Sequence, residues 1–237
     1  MTFLTLCQNV ADETGVQRPA AVIGSTDAGL LKIRRAANKA GISVMRAAKW
    51  LVLRKEKTFT AIAGETQTGI LPADFDRFVP ETFWDRTNIQ LLIGPTSPVE
   101  WNGLKAGGYD GVSRRFIHRG TAILIIPVFD GGQSLAFEYI SRNWCQSSTA
   151  TAQYEWAADT DTGILDEELL TLATTYFYKD SEGLPADSAR ADFVTAFNAL
   201  LDNETPDPDV MMAGDIFGGG RRFAGAPSSG NDVGGFA

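Results

Sequence analysis

One histidine and two cysteines occur in 237 residues, and each shortage closes off a class of chemistry. Cys7 and Cys145 lie far apart with no C-x-x-C or metal-type spacing, so no disulfide framework organises the chain. With His118 as the lone imidazole, a zinc site lacks ligands, and no metal or other cofactor is expected. The longest strongly apolar run, Ala122–Phe129, is less than half of the ~20 residues a membrane-spanning helix needs, so no membrane partner is expected either. Positive charge is also short. There are 21 Lys and Arg against 29 Asp and Glu, a net charge of −8, which argues against wrapping nucleic acid with the overall surface. The first basic residue is Arg18, so the opening lacks the positive flank of a signal peptide, and synthesis in a cytoplasm is expected.

What is present is a globular composition. Hydrophobic residues make up 44% of the chain, enough to bury a core without disulfides. The charges are segregated. Nine basic residues fall between Lys32 and Lys57 against one acid, Glu56, whereas fourteen acids fall between Glu155 and Asp209 against Lys179 and Arg190. Two readings follow. Either two solvated helix faces attract one another, or identical subunits meet head to tail, basic flank to acidic flank, and close into a ring. The residues that would carry such a contact are Arg34, Arg35, Lys39 and Arg46 on one side and Asp166, Glu167 and Glu168 on the other.

Periodicity divides the chain into three blocks and a tail. Residues 1–53 read as helical. Thr2 caps a helix with Leu6, Val10 and Thr14 on one face and Gly15 at its end. Ser25, Thr26 or Asp27 caps a longer one with Leu30, Ile33, Ala37, Ala40, Val44 and Ala47 in register, weakened by Gly29 and Gly41. Residues 54–146 change to period two: Lys57–Ala63, Ile89–Ile93, Arg115–Ile117, Ala122–Ile126 and Ser134–Ile140 are strand candidates, with a tight hairpin at Arg119-Gly120. Within this block Ser97-Pro98-Val99-Glu100 announces a short helix to about Ala106, with a cap, a proline at the first position and a reciprocal glutamate. Residues 147–204 return to helices, one capped by Asp161 or Thr162 with Asp166, Glu167 and Glu168 near its start, and one from about Ala186. From Thr205 the chain has eight glycines and no useful period, the composition of a flexible arm spanning 205–237. The expected fold class is α+β: a helical bundle made of N- and C-terminal helices with an inserted β-rich domain and a flexible C-terminal arm.

Catalytic sets are poor. A nucleophile–histidine site would have to use His118 beside a predicted turn, where an exposed turn histidine suffices. Gly218-Gly219-Gly220-Arg221-Arg222 lacks the lysine and hydroxyl of a phosphate loop. A calcium loop begun at Asp159 has Ile164 and Leu170 where glycine and glutamate are required. Glu167 or Glu168 with a second acid would allow glycan hydrolysis, though as neighbours at a helix start they read as dipole partners. Phe75, Phe78, Phe83, Trp84 and Trp101 would suit a sugar platform or simply a core. The chain is not expected to be an enzyme.

Five runs in order carry a resemblance. They are Leu71-Pro72-Ala73-Asp74-Phe75-Asp76-Arg77-Phe78, then Thr82-Phe83-Trp84-Asp85-Arg86, then Gly94-Pro95-Thr96-Ser97-Pro98-Val99-Glu100-Trp101. Phe137-Glu138-Tyr139-Ile140-Ser141-Arg142-Asn143-Trp144 and Asp159-Thr160-Asp161 through Leu165-Asp166-Glu167-Glu168-Leu169-Leu170 complete the set. Together they resemble the head-to-tail adaptor proteins of tailed bacteriophages, the group that includes the tail accessory factors and the tubular tail protein A type. The resemblance covers about Met1 to Leu201 and rests on packing and turn signatures. It implies a non-enzymatic virion component made in the host cytoplasm. Such a component forms a dodecameric ring below the portal protein ring, extends the channel through which DNA passes without sequence-specific binding, and presents a surface to nozzle or tail proteins. The arm lies outside the shared pattern; Phe217, Arg221, Arg222, Phe223 and Phe236 are its candidate anchors on the portal. The alternatives are a cell-wall-degrading glycan hydrolase and a carbohydrate-binding module.

Overall fold

Capping residues start the helices of this fold, and the computed structural model describes residues 1–203 of it. Helix α1 (Phe3–Thr14) begins at Thr2, whose hydroxyl accepts from the Thr5 N–H, and stops at Gly15 in the left-handed region that glycine adopts without strain. Helix α2 (Ala28–Ala47) begins at Asp27, which accepts from the Leu30 N–H. A single 3-10 turn (Leu51–Leu53) leads into β1 (Arg54–Thr60), followed by β2 (Gly64–Gln67), β3 (Phe75–Phe78), β4 (Trp84–Asp85) and β5 (Gln90–Leu91). Helix α3 (Pro98–Ala106) is capped by Ser97; the Glu100 carboxylate sits 3.4 Å from Arg115, so the expected reciprocal bond gives way to a contact with a strand. Next come β6 (Arg115–Arg119), β7 (Ala122–Phe129), β8 (Ser134–Ser141) and three short strands, β9 (Cys145–Gln146), β10 (Ala152–Gln153) and β11 (Thr162–Gly163). Helices α4 (Glu167–Ser181) and α5 (Asp187–Asn203) close the described chain. The class is α+β, with five α-helices and antiparallel sheets among the described residues.

Strand β8 is the spine of the larger sheet. It pairs with β1 along one edge and with β3 and β4 along the other, and β5 extends β4. A second sheet runs β2-β7-β6, with the hairpin turn at Gly120 joining β6 to β7. The two sheets share one aromatic core: Phe83, Phe116, Phe129 and Phe137 are buried with Ile123, Ile125 and Leu135, and the Phe83 and Phe116 rings lie edge to face at 4.8 Å. Alternation decides which residues enter it. In β1, Phe59 points inward and Thr58 and Thr60 outward. The expected strand Ile89–Ile93 is broken up: Ile89 takes a left-handed turn conformation, Gln90–Leu91 pairs with β4, and Ile93 makes an isolated parallel bridge to Arg115.

The bundle core is built from α1, α2, α4 and α5, and its contents reach beyond the helices. Val79, Ile140, Trp144 and Cys145, from the stretch expected to form the insert, are buried in it beside Trp156 and Leu165. One helix start differs from the sequence reading. Asp166 caps α4 by accepting from the Leu169 N–H, whereas Asp161 is buried and accepts from the Ala157 and Ala158 N–H groups, and Thr162 belongs to β11. Asp161 therefore caps a local turn between β10 and β11.

Gly41 has a reason that helix propensity hides. A Cβ there would lie 2.3 Å from the Trp144 indole, which is fully buried. Gly103, in α3, has nothing within 4 Å. Gly41→Ala is expected to destabilise by about 1–3 kcal/mol despite its better propensity, because the ring has no room to retreat. Gly103→Ala is expected to stabilise by up to about 1 kcal/mol. Urea unfolding of the two variants checks this: midpoints moving in the same direction would contradict the packing account.

Candidate functional site

The candidate catalytic groups are scattered and engaged in structure. His118 is exposed at the β6–β7 hairpin, with Nε2 2.7 Å from the Gly120 carbonyl and its ring against Phe75 and Phe78. Both cysteines are buried. Burial, followed by the nearby Asp161 and Glu155 charges, pushes the Cys145 thiol up to about 12, and burial with the Asp159 charge pushes Cys7 up as well. Neither forms a thiolate at neutral pH. Among the described residues no cluster of His, Cys, Asp and Glu could hold a metal ion, and no helix is long and apolar enough to cross a membrane. Phe83 and Trp101 belong to cores, Phe75 and Phe78 are half-buried, and Trp84 is 41% exposed. With Ile89, Trp84 lines an open groove of about 490 Å³ beside Glu56, Glu81 and Glu138.

The residues of the five runs act as ties between elements. Asp74 accepts from Lys55 Nζ at 2.7 Å, Ser141 Oγ at 2.8 Å and the Tyr139 hydroxyl at 3.0 Å. Burial pushes its carboxyl up, but those three donors outweigh it and hold the group below its ordinary value. Arg77 crosses from β3 to the bundle and donates to the carbonyls of Met45, Arg46 and Ala48 at the end of α2. That is where a helix presents unpaired carbonyls and the negative end of its dipole. Asp159 accepts from the Val22 and Ile23 N–H groups, tying the approach to α4 to the connection between α1 and α2. Of these ties Arg77 fastens insert to bundle, Asp74 draws together strands within the insert, and Asp159 joins the two parts of the bundle.

The segregated charges resolve into two faces. On α2, Lys32, Arg35, Lys39 and Arg46 are all exposed, and their spacing of three, four and seven residues sets them in one stripe. Arg34 lies about 100° around the helix from Arg35 and is half-buried, so the structure does not bring it into that stripe. Lys32 pairs with Glu182 at 2.6 Å, Lys39 Nζ lies 4.4 Å from the Phe177 ring centroid, and Arg46 reaches the Tyr154 hydroxyl at 3.5 Å. Further along the basic block, Lys55 pairs with Asp74 and Arg54 lies 3.7 Å from Glu138, both acids of the middle block. Arg35 has no ion pair among the described residues.

The acidic face is a groove between α4 and α5. Asp166, Glu168 and Asp192 line it around a floor that includes Leu172, Ala196 and Leu200, with a volume of about 520 Å³. Glu167, grouped with Asp166 and Glu168 in the sequence, instead pairs with the amino group of Met1. Asp192 was not singled out by sequence reasoning; the signal available was its helical spacing with Ala196 and Leu200. The arm residues Phe217, Arg221, Arg222, Phe223 and Phe236 lie outside the described residues.

Compared with known proteins, the sequence matches a family model described as SU10 adaptor protein over residues 1–214, a span that includes all five runs and both charged faces. No curated protein matches it.

The Asp74 cluster has a measurable consequence. A carboxyl held below its unfolded value stabilises the fold at neutral pH, and that contribution is lost as pH falls through the carboxylate range, around ~4 and below. Asp74→Asn is expected to lower stability at pH 7 and to lessen the acid-side decline. Denaturation midpoints from pH 7 to pH 3 check this, and an unchanged acid limb would show that Asp74 carries none of it.

Proposed function

The chain belongs to the SU10 adaptor protein family, and we propose that it works as the head-to-tail connector of a tailed phage particle. Membership makes it a structural phage adaptor and a virion component that meets portal and tail proteins. The finer reading is a dodecameric ring seated under the portal, with its bore continuing the DNA channel and its far surface receiving nozzle or tail proteins. The family match across residues 1–214 is the observation that carries this reading. The ties within the insert at Asp74, between insert and bundle at Arg77 and within the bundle at Asp159 support it, because a connector has to transmit load as a stiff piece. The net charge of −8 supports a bore that DNA slides through, since each phosphate neutralised by a basic side chain would add retention.

On this reading the basic group Arg34, Arg35, Lys39 and Arg46 and the acidic group Asp166, Glu167 and Glu168 serve contacts between copies. Phe217, Arg221, Arg222, Phe223 and Phe236 are proposed anchors on the portal. One observation favours a rival, saccharide binding: the exposed Trp84 beside three carboxylates. Titrating cell-wall glycans against tryptophan fluorescence separates the two, and a saturable change would support the rival.

Electron microscopy of the chain mixed with the portal ring of the same phage tests the adaptor reading. An added ring-shaped layer on the portal is expected; a bare portal beside free chain would overturn it. Deleting the residues after Asp209 is expected to abolish portal attachment while leaving the urea unfolding midpoint of the remainder unchanged, and undiminished attachment would remove the anchor role.

A further inference from the structure

The α2 stripe and the α4–α5 groove match one another in pattern as well as in sign. Along α2 the exposed cations Lys39 and Arg46 flank Ile42, which is half-buried against the bundle core and keeps part of its surface open, with the exposed Arg35 one turn further out. Lys39 and Arg46 are separated by about 10 Å along the axis. The groove has the reverse polarity. The five-residue link between α4 and α5 makes them antiparallel neighbours, and Tyr176 stacks on Phe193. Asp192 therefore stands toward one end of the groove and Glu168 toward the other, about 12 Å apart along the axis, with Ala196 on the floor between them.

We infer that the Lys39–Ile42–Arg46 stripe of α2 seats in the α4–α5 groove of a second copy of this chain, with Ile42 over Ala196 and the cations at the two acidic ends. The inference rests on the adaptor reading and specifies its subunit contact. Each patch repels its own kind, so a two-fold contact that places like patches together is disfavoured. In the ring that the adaptor reading requires, the contact repeats head to tail, whereas a two-fold pair joined by two reciprocal stripe-in-groove contacts would stop at a covalent dimer in the cross-linking below and overturn the head-to-tail arrangement. The occupant is argued from charge and from shape together. A DNA backbone would satisfy the cations but would leave Ile42 against phosphate and the acidic groove empty, and the chain is acidic overall.

Cross-linking at the centre of the contact does not depend on which way α2 lies in the groove. In assembled particles carrying Ile42→Cys with Ala196→Cys, a short bis-maleimide is expected to give a ladder of covalent multimers, and either single variant is expected to give monomer. The native Cys7 and Cys145 are fully buried and supply no competing thiol. A second pair of variants guards against misfolding. Arg35→Glu with Lys39→Glu, and separately Glu168→Lys with Asp192→Lys, are each expected to lower the copies per particle by about tenfold or more, and mixing the two to restore incorporation in equal amounts. Monomer alone from particles that contain the ring would overturn this contact and leave the adaptor reading intact. Particles that lack the wild-type chain would remove both. Stripe variants that assemble normally but alter DNA retention would overturn the contact in favour of a DNA-facing stripe.

Discussion

The Trp144 indole occupies the space in which any side chain at position 41 would stand, and much of the architecture follows from that fit. Trp144 lies three residues beyond the end of β8, the strand on which the larger sheet is assembled. Its neighbour on the other side is Trp156, edge to face at 5.0 Å, and Trp156 stacks in turn on Phe3 at the start of α1. One chain of rings therefore runs from the end of the sheet, past Gly41 of α2, to the first residue of α1. Burying a tryptophan contributes roughly 4–6 kcal/mol as an upper value from its area, and here that area joins two parts of the molecule. Arg77 works at the same junction by polar means, since its guanidinium satisfies three carbonyls at the end of α2. An apolar fit and a charged tie at one joint resist different motions, sliding and rotation, so together they fix the insert's orientation.

Features set by neighbours in the chain were legible in the sequence. The caps Thr2, Asp27 and Ser97, the stop at Gly15 and the hairpin at Gly120 all depend on side chains reaching backbone groups within a few residues. Helix periodicity likewise gave the buried faces of α1 and α2. Features set by distant contacts were not. Gly41 read as a local weakness because its partner is about a hundred residues away. Asp161 was misplaced for a different reason, since Asp166, five residues later, offers the same capping chemistry. The short strands β9, β10 and β11 have two residues each, too few for a period to register. At the candidate site the signs of the charge were visible early. Which charges share a face was visible only for α2, where one helix holds them; the groove needs two helices and the packing between them.

Electrostatics separates the two faces by what sustains them. The acids Asp166 and Glu168 have local reasons to be where they are, one as the cap of α4 and both at the positive end of its dipole. The stripe on α2 has less local support. Arg46 lies in the last turn, where a cation is favoured, and Lys32 has Glu182. Arg35 and Lys39, mid-helix and four residues apart, repel one another by about 0.2–0.5 kcal/mol in isolation, and no acid among the described residues relieves Arg35. The fold has acids available and uses them elsewhere, on Lys55, Arg86 and Lys179. A helix that keeps a small self-repulsion while its neighbours are neutralised is more informative than one whose charges are explained within the chain. That asymmetry makes α2 the face to follow when looking for a partner, with the groove as the surface whose sign and spacing answer it.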